Sequence, residues 1–450
     1  VLEDFPAMVK LSGSSGKTAA DVSKVFTALG TDANRKRICI TAGDGLTPCY
    51  VEIKEWSTAT QTAYLWVRVP RINPGEDTHL YLYYDPAHAE MTDYVGDTTS
   101  EAAWNVWDNG HEFVGIKPSG GQLLDSTRNQ NHGTIYGATE VDGPLGRCLS
   151  FDGVDDYAAL SSVPIPANHD ITVTAMHIPR GTGGRIYAEG NAALNQGIRQ
   201  LFIRNDYTIG WSFRNAQGVD STLVGPYISE GYTSVDTAVN SGINRILYSN
   251  EAAPVTDSWD TTYSPMYTAS IGAMVRSVPQ YFYTGEIMFV SISSVARSPA
   301  WIAATNAALR DDLIAYSDPG APLTLAGYAD AYDYLSWTRR YRRPGAWKAQ
   351  INRYLPAAKE FIPGRLVHFR RNGEDRLGLI ETRQISVDTS GRPSEQWTVA
   401  GREIIGILGD RLCLHGVSTG TGYDEFAGAA ETALRHYVDA NAINPDDARR

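Results

Sequence analysis

The chain is 450 residues long, which at about 100–200 residues per domain predicts roughly three domains. Gly 42 and Pro 22 are close to ordinary usage, so collagen-like and low-complexity readings fail, and 42% hydrophobic against 20% charged residues excludes global disorder. The net charge of −12 argues against a whole-chain nucleic-acid binder, yet it is unevenly spread: residues 1–334 hold 21 basic and 37 acidic side chains, residues 335–411 hold 15 and 8. Two kinds of module therefore join near residue 320.

Tyr 25, Trp 10 and Phe 11 suit a strand-rich protein. Four cysteines (Cys39, Cys49, Cys148 and Cys413) are too few for a disulfide scaffold. Cys39 and Cys49 flank an Asp44-Gly45 turn and could face each other across a hairpin, though two buried thiols is the preferred reading. No Cys/His cluster has zinc spacing, and no apolar run reaches the ~18 residues of a membrane span. The first residue is Val1, so an upstream piece could have been removed.

In chain order, Arg37-Ile38-Cys39-Ile40-Thr41 and Tyr50-Val51-Glu52-Ile53 read as strands around a turn. Tyr64-Leu65-Trp66-Val67-Arg68-Val69 alternates and Pro70 is expected to end it. His79-Leu80-Tyr81-Leu82-Tyr83-Tyr84 closes a small β-sandwich over residues 1–105. Residues 106–316 continue with short strands, long enough for a jelly roll. The first clear helix is predicted over 299–315, with Ser298 as N-cap and Pro299 at its first position. Asp318-Pro319-Gly320-Ala321-Pro322 is a natural linker into a third domain, 317–450. There, Val367-His368-Phe369, Leu377-Gly378-Leu379-Ile380 and Glu395-Gln396-Trp397-Thr398-Val399 predict a meander or small barrel, joined by Asn372-Gly373 and Ser390-Gly391 turns. A helix capped by Asp424 follows. The fold class is mainly β.

Three resemblances sharpen this. Ile38 to Thr41, Glu52, Trp56, Leu65-Trp66-Val67-Arg68-Val69-Pro70 and Leu80-Tyr81-Leu82-Tyr83-Tyr84 resemble a β-domain of unassigned function found ahead of LamG-like domains in bacterial and phage surface proteins. Asp125-Ser126-Thr127-Arg128-Asn129 and the string Gly146-Arg147-Cys148-Leu149-Ser150-Phe151-Asp152-Gly153-Val154-Asp155-Asp156-Tyr157 resemble motifs of LamG-like, concanavalin-type jelly rolls. Gly285-Glu286-Ile287 through Ser298, then Trp301-Ile302, resembles their last strand and exit helix. Two departures stand out: Ile116-Lys117-Pro118 replaces an aromatic-His-Leu segment, and Met288 stands where a second acid often follows the one at Glu286. Finally, Leu335-Ser336-Trp337, Gly345-Ala346-Trp347, Gly378-Leu379-Ile380, Ala400-Gly401-Arg402-Glu403 and Thr421-Gly422-Tyr423-Asp424 resemble the phage tail hub or minor tail protein family, related to trimeric baseplate hubs. That family starts at the equivalent of Leu323 and continues beyond the equivalent of Arg450.

Asp125, Asp152, Asp155 and Asp156 could supply hard oxygens to Ca²⁺, or could hold a tight turn through Asx-type bonds with Gly153 in a special conformation. No other cofactor is expected. Trp66, Trp104, Trp107, Trp211, Trp259 and Tyr207 could offer sugar-stacking platforms. A Trp within a strand is more often core, so Trp259 in its loop is the better ligand candidate, with Trp211 and Tyr207 beside it. No glycosidase carboxylate pair and no G-x-S-x-G elbow is evident, so no catalytic residue is assigned and no enzyme is expected. Gly16-Lys17-Thr18 echoes a P-loop but lacks its first glycine and reads as a plain loop. Arg339, Arg340, Arg342 and Arg343 suit a subunit interface best, a solvated face next and DNA least.

The resemblances imply a virion tail-tip component, made in the host cytoplasm. Its β-sandwiches would attach to the host surface or its polysaccharide, with carbohydrate binding by the jelly roll. A homotrimer, contacts with other tail proteins (tail tube or distal tail protein, tape measure) and no membrane span are expected; nucleic acid is not expected as a partner. A wall- or polysaccharide-degrading tail enzyme and a purely architectural tail protein are the alternatives.

Overall fold

The computed structural model describes residues 1–317 except 44, 76, 166–169, 192–196, 216 and 260–265, and residues 331–403 except 339–344, 364, 372–373 and 388–392. It divides into two compact units, Val1–Asp318 and Pro319–Arg450. Strands dominate both, as expected.

In the first unit, Leu2–Leu11 pairs antiparallel with Thr62–Ile72, which pairs with Val51–Ser57, and Val95–Asp97 adds in parallel. Val9, Leu11, Phe26, Val51, Ile53, Leu65 and Val67 form its core. Two expectations fail here. The strand runs through Pro70 to Ile72 because Asp4, opposite, takes φ +51 and leaves the ladder there; a missing N–H costs little at such an irregularity. Ile38–Thr41 pairs with the distant Tyr81–Tyr84 rather than with Val51–Ser57. The local hairpin stops at the bond from Cys49 N–H to the Ile40 carbonyl, and Cys39 and Cys49 are free thiols.

The jelly roll is built around Thr284–Ser293. One side of this strand pairs with Ile171–Pro179; the other takes Gly146–Asp152 at its start and His111–Ser119 at its end. The two most specific jelly-roll motifs are thus hydrogen-bonded neighbours, with Leu149 opposite Ile287 and Phe151 opposite Gly285. Gly285, at φ +130, admits no side chain, since a Cβ would lie 2.1 Å from the Ile178 carbonyl oxygen. Inward-facing residues of many strands, among them Val173, Leu201, Trp211, Leu247 and Ile292, fill the core.

Ser298 caps the helix Pro299–Leu309, its hydroxyl accepting from Trp301 N–H. The helix ends before the expected 315 because Asp311 turns to φ +57. The chain then runs back along the first module: Lys17 N–H donates to the Ile314 carbonyl and Tyr316 Oη to that of Lys10. The Gly16-Lys17 loop therefore has a structural task, with Gly16 N–H also bonded to Asp311. The helices Lys24–Leu29 and Glu101–Val106 were not predicted; six residues each are too few for a helical period to register.

The two β modules share a buried junction. Glu52 and Lys54, on the face of their strand opposite Val51 and Ile53, are 0% and 1% exposed. Glu52 accepts hydrogen bonds from Trp107 Nε1 (2.6 Å), Thr98 Oγ1 (2.7 Å) and Ser126 Oγ (2.7 Å). Lys54 donates to the carbonyls of Leu145 and Arg147. Around them Trp66 packs at 5.0 Å from Trp107 and 5.4 Å from Phe289, which makes Trp66 and Trp107 core rather than sugar platforms. Burial pushes the Lys54 ammonium down to about 8. Above that pH the folded chain releases a proton that the unfolded chain holds to 10.5, so the unfolded state binds more protons and stability rises with pH. Relative to Lys54→Met, wild-type stability is expected to gain roughly 2–3 kcal/mol between pH 7 and pH 10.5, read from urea melts at each pH.

In the second unit the described strands form one antiparallel sheet in the order Tyr334–Thr338, Ala346–Asn352, Pro393–Glu403, Glu374–Val387, Leu366–Arg371. The described residues that carry the tail-protein resemblance lie in or beside it. Trp347 lies against Gly378, where a Cβ would sit 2.3 Å from its indole nitrogen. Glu403 accepts from Trp337 Nε1 (2.7 Å) and from Gly345 N–H (3.0 Å). The predicted turns at 372–373 and 390–391, the helix after Asp424, and Cys413 lie outside the described residues. Among the described residues no helix is long and apolar enough to cross a membrane.

Candidate functional site

An open cleft of about 460 Å³ lies at one end of the jelly roll. Its walls are Arg185 at the start of Arg185–Gly190, Phe202 near the end of Ile198–Ile203, the turn 204–206, and Tyr281. Phe202 stands opposite both Arg185 and Gly210 in the sheet. Gly210 is required there, since a Cβ would come within 2.6 Å of the Phe202 ring. Gly184 lets the chain pass Tyr283, whose Cα would lie 2.5 Å from any added Cβ. Asp206 organises the turn, accepting from Thr208 N–H and Oγ1 and from Arg204. These hydrogen bonds from Thr208 hold its carboxyl below the usual range.

Arg185 dominates the cleft. Its guanidinium lies 3.9 Å from the Tyr281 ring centroid and 4.8 Å from that of Phe202, with Nε donating to Gln200 (2.9 Å) and Nη1 to the Gly183 carbonyl. Burial lowers its pKa to about 10, and it stays charged at neutral pH.

The candidates named from sequence fare unevenly. Trp211 is fully buried, its Nε1 donating to Asn240, so it is core and not a ligand platform; the inward face of a sandwich strand dictates this. Trp259 is half-buried against the same core, with Arg245 6.0 Å from its ring centroid. Tyr207, at φ +60, follows Asp206 in the turn and packs 6.2 Å from Tyr227. Trp104 stacks beneath Arg128, 5.5 Å away.

Asp125 does not join the other aspartates. It is buried and saturated by Val114, Thr127 and Asn131 N–H groups, and desolvation pushes its carboxyl up. Asp152, Asp155 and Asp156 do converge, with one ligand atom from each within 4.8 Å of the others. The Asx-turn reading is realised: Val154 N–H donates to Asp152, Asp152 N–H to Asp156, and Gly153 takes φ +83. Burial, then the charges of Asp152 and Asp155, raise the Asp156 carboxyl. Ca²⁺ placed here would find three carboxylates, two already bonded to backbone, and would complete its 6–8 oxygens with water. Glu286, the acid of the last strand, is instead paired with Arg180 at 2.8 Å. Arg339, Arg340, Arg342 and Arg343 lie outside the described residues.

Two other polar sites are sealed. His177, Asp236 and Tyr283 form a chain, Nε2 to Asp236 at 2.7 Å and Nδ1 to Tyr283 at 2.9 Å, but all three are 0% exposed. The cavity beside Trp66, His111 and Trp301 holds about 10 Å³, room for about one water. Sequence reasoning missed the Arg185 cleft because its walls are far apart in the chain. Gly183-Gly184, a mark of close backbone approach, was the available signal.

Residues 320–450 match the family model described as Siphovirus ReqiPepy6 Gp37-like protein, and residues 35–108 match a domain of unknown function (DUF2341). The C-terminal region thus carries a phage-protein domain, as its motifs implied. No curated protein matches the chain. Among solved structures, the chain is similar to the CBM40 of the Ruminococcus gnavus IT-sialidase bound to α2,3-sialyllactose, at 18% identity over 31% of this chain and 83% of that one, with a TM-score of 0.28. It is similar to domain 4 of AbnA, a GH43 extracellular arabinanase from Geobacillus stearothermophilus in complex with arabinotriose, at 16% identity over 43% and 96%, TM-score 0.35. The binding domain of Paraclostridial Mosquitocidal Protein 1 is similar at 12% identity over 64% and 67%, TM-score 0.37.

Proposed function

We propose that this chain is a siphovirus-type tail protein of the tail tip, whose C-terminal region is a hub and whose jelly roll touches a host-surface glycan without catalysis. The family match over residues 320–450 carries the reading. The open, aromatic-lined cleft on the jelly roll supports its second half, because concave sites with a few placed polar groups suit small ligands. Association as a trimer would multiply weak individual contacts into avidity. Other tail proteins are the partners of the hub.

Immunogold electron microscopy of the source particle with antibody to the full chain tests this. Label at the tail tip is the expected result, and label on the head or none on the particle overturns it. Light scattering on the full chain reads the trimer directly. Reducing-end release from host capsule would replace the non-catalytic reading with a degrading enzyme.

A further inference from the structure

Resting on the glycan-contact reading, we infer that the cleft walled by Arg185, Phe202, Tyr281 and Asn205 binds an anionic saccharide, whose acidic group pairs with Arg185. The carboxylate that lines the cleft already has a cationic partner: Asp206 pairs with Arg204 at 2.9 Å. Arg185 has no carboxylate partner among the described residues; its bonds go to Gln200 and to a backbone carbonyl, both neutral. A second arginine repeats the pattern. Arg276, in the hairpin that leads into Tyr281, has Nε and Nη2 buried with no hydrogen-bond partner among the described residues. A buried guanidinium without a carboxylate partner is unexpected in a module that is acidic overall.

Geometry adds to charge. The Phe202 and Tyr281 rings hold the Arg185 guanidinium in place, and the bonds from Nε and Nη1 fix its plane. Among the described residues Nη2 has no acceptor and is left to donate. A planar, pre-oriented guanidinium recognises carboxylate or phosphate well, and little side-chain freedom remains to be lost on binding. Tyr281 is 55% exposed, leaving ring surface for the face of a sugar, and the Asn205 amide adds polar contact. Tyr281 takes φ +58, a conformation costly for a bulky residue and one that sets its ring over Arg185.

The test is calorimetric titration of the full chain with three probes: oligogalacturonate for a carboxylate, a glycerol-phosphate oligomer for a phosphate, and neutral dextran. At least one anionic probe is expected to bind ten-fold or more tightly than dextran, less tightly as salt is raised. Whichever binds better identifies the acidic group. Arg185→Met should weaken that probe ten-fold or more, and Arg185→Lys, which keeps charge but loses the planar fork, should fall between. Equal melting temperatures would establish that these variants fold. Binding of neither anionic probe, equal binding of dextran, or indifference to Arg185→Met each overturns the inference. Equal dextran binding leaves glycan contact standing, whereas mislocated immunogold label fails the tail reading without touching the cleft.

Discussion

Glu52→Leu is expected to destabilise the first unit by about 2–5 kcal/mol in urea unfolding, a large part of the roughly 5–15 kcal/mol that holds a domain folded. The carboxylate is fully buried at the junction of the two β modules and accepts from Trp107, Thr98 and Ser126. Leucine fills the space but leaves those donors unsatisfied, at about 1–3 kcal/mol each, partly offset because a desolvated carboxylate is removed as well. Glu52→Gln keeps one acceptor oxygen and should lose less than half as much. A pH series separates the contributions. Burial raises the Glu52 carboxyl above its usual 4.5, so between that value and its folded pKa the folded chain binds more protons. Wild-type stability relative to Glu52→Gln should therefore increase as pH falls through the folded pKa towards 4.5. A leucine variant as stable as wild type would mean that the junction contributes nothing to folding.

Glu189→Leu should cost about 3–5 kcal/mol, the usual effect of removing one member of a buried ion pair. Glu189 and Arg199 face each other across adjacent strands, both side chains 0% exposed. Arg199 Nε donates to Glu189 at 2.8 Å, and Tyr187 Oη donates to the other oxygen. Without the carboxylate, a guanidinium is stranded in the core and Tyr187 loses its acceptor. The double variant Glu189→Leu/Arg199→Met should recover more than half of the loss, since an apolar pair of similar volume replaces an ionic one. These strands also carry Arg185 and Phe202, so ligand binding in the cleft should weaken with the single variant and return with the double. Additive losses in the double variant would show that the two side chains do not act as a pair.

Much of the fold was legible because its signals are local. Ser298 and Pro299 announce a helix through capping and a fixed φ, and the helix is there. The string 146–157 and the segment after Gly285 point to neighbouring jelly-roll strands, and they pair. Alternation was less informative where both faces of a strand are covered. Glu52 and Lys54 occupy positions that alternation assigns to solvent, and only the docking of the jelly roll buries them. Trp211 failed as a ligand candidate for a related reason: its residue type suits a platform, but its strand turns it inward.

The sequence by itself determined a mainly β protein, a jelly roll with its capped exit helix, a phage-protein domain over the last third, and an uneven charge. Those properties rest on short-range patterns and on strings long enough to be specific. Only the tertiary structure decided that Asp125 stands apart from Asp152, Asp155 and Asp156, that two acidic modules share a buried Glu–Lys junction, and that Arg185 lies against Phe202 and Tyr281 with no carboxylate partner among the described residues. Each depends on which distant strands become neighbours. Pairing is a property of the closed sheet, selected by burial of the whole core, and no single segment encodes it.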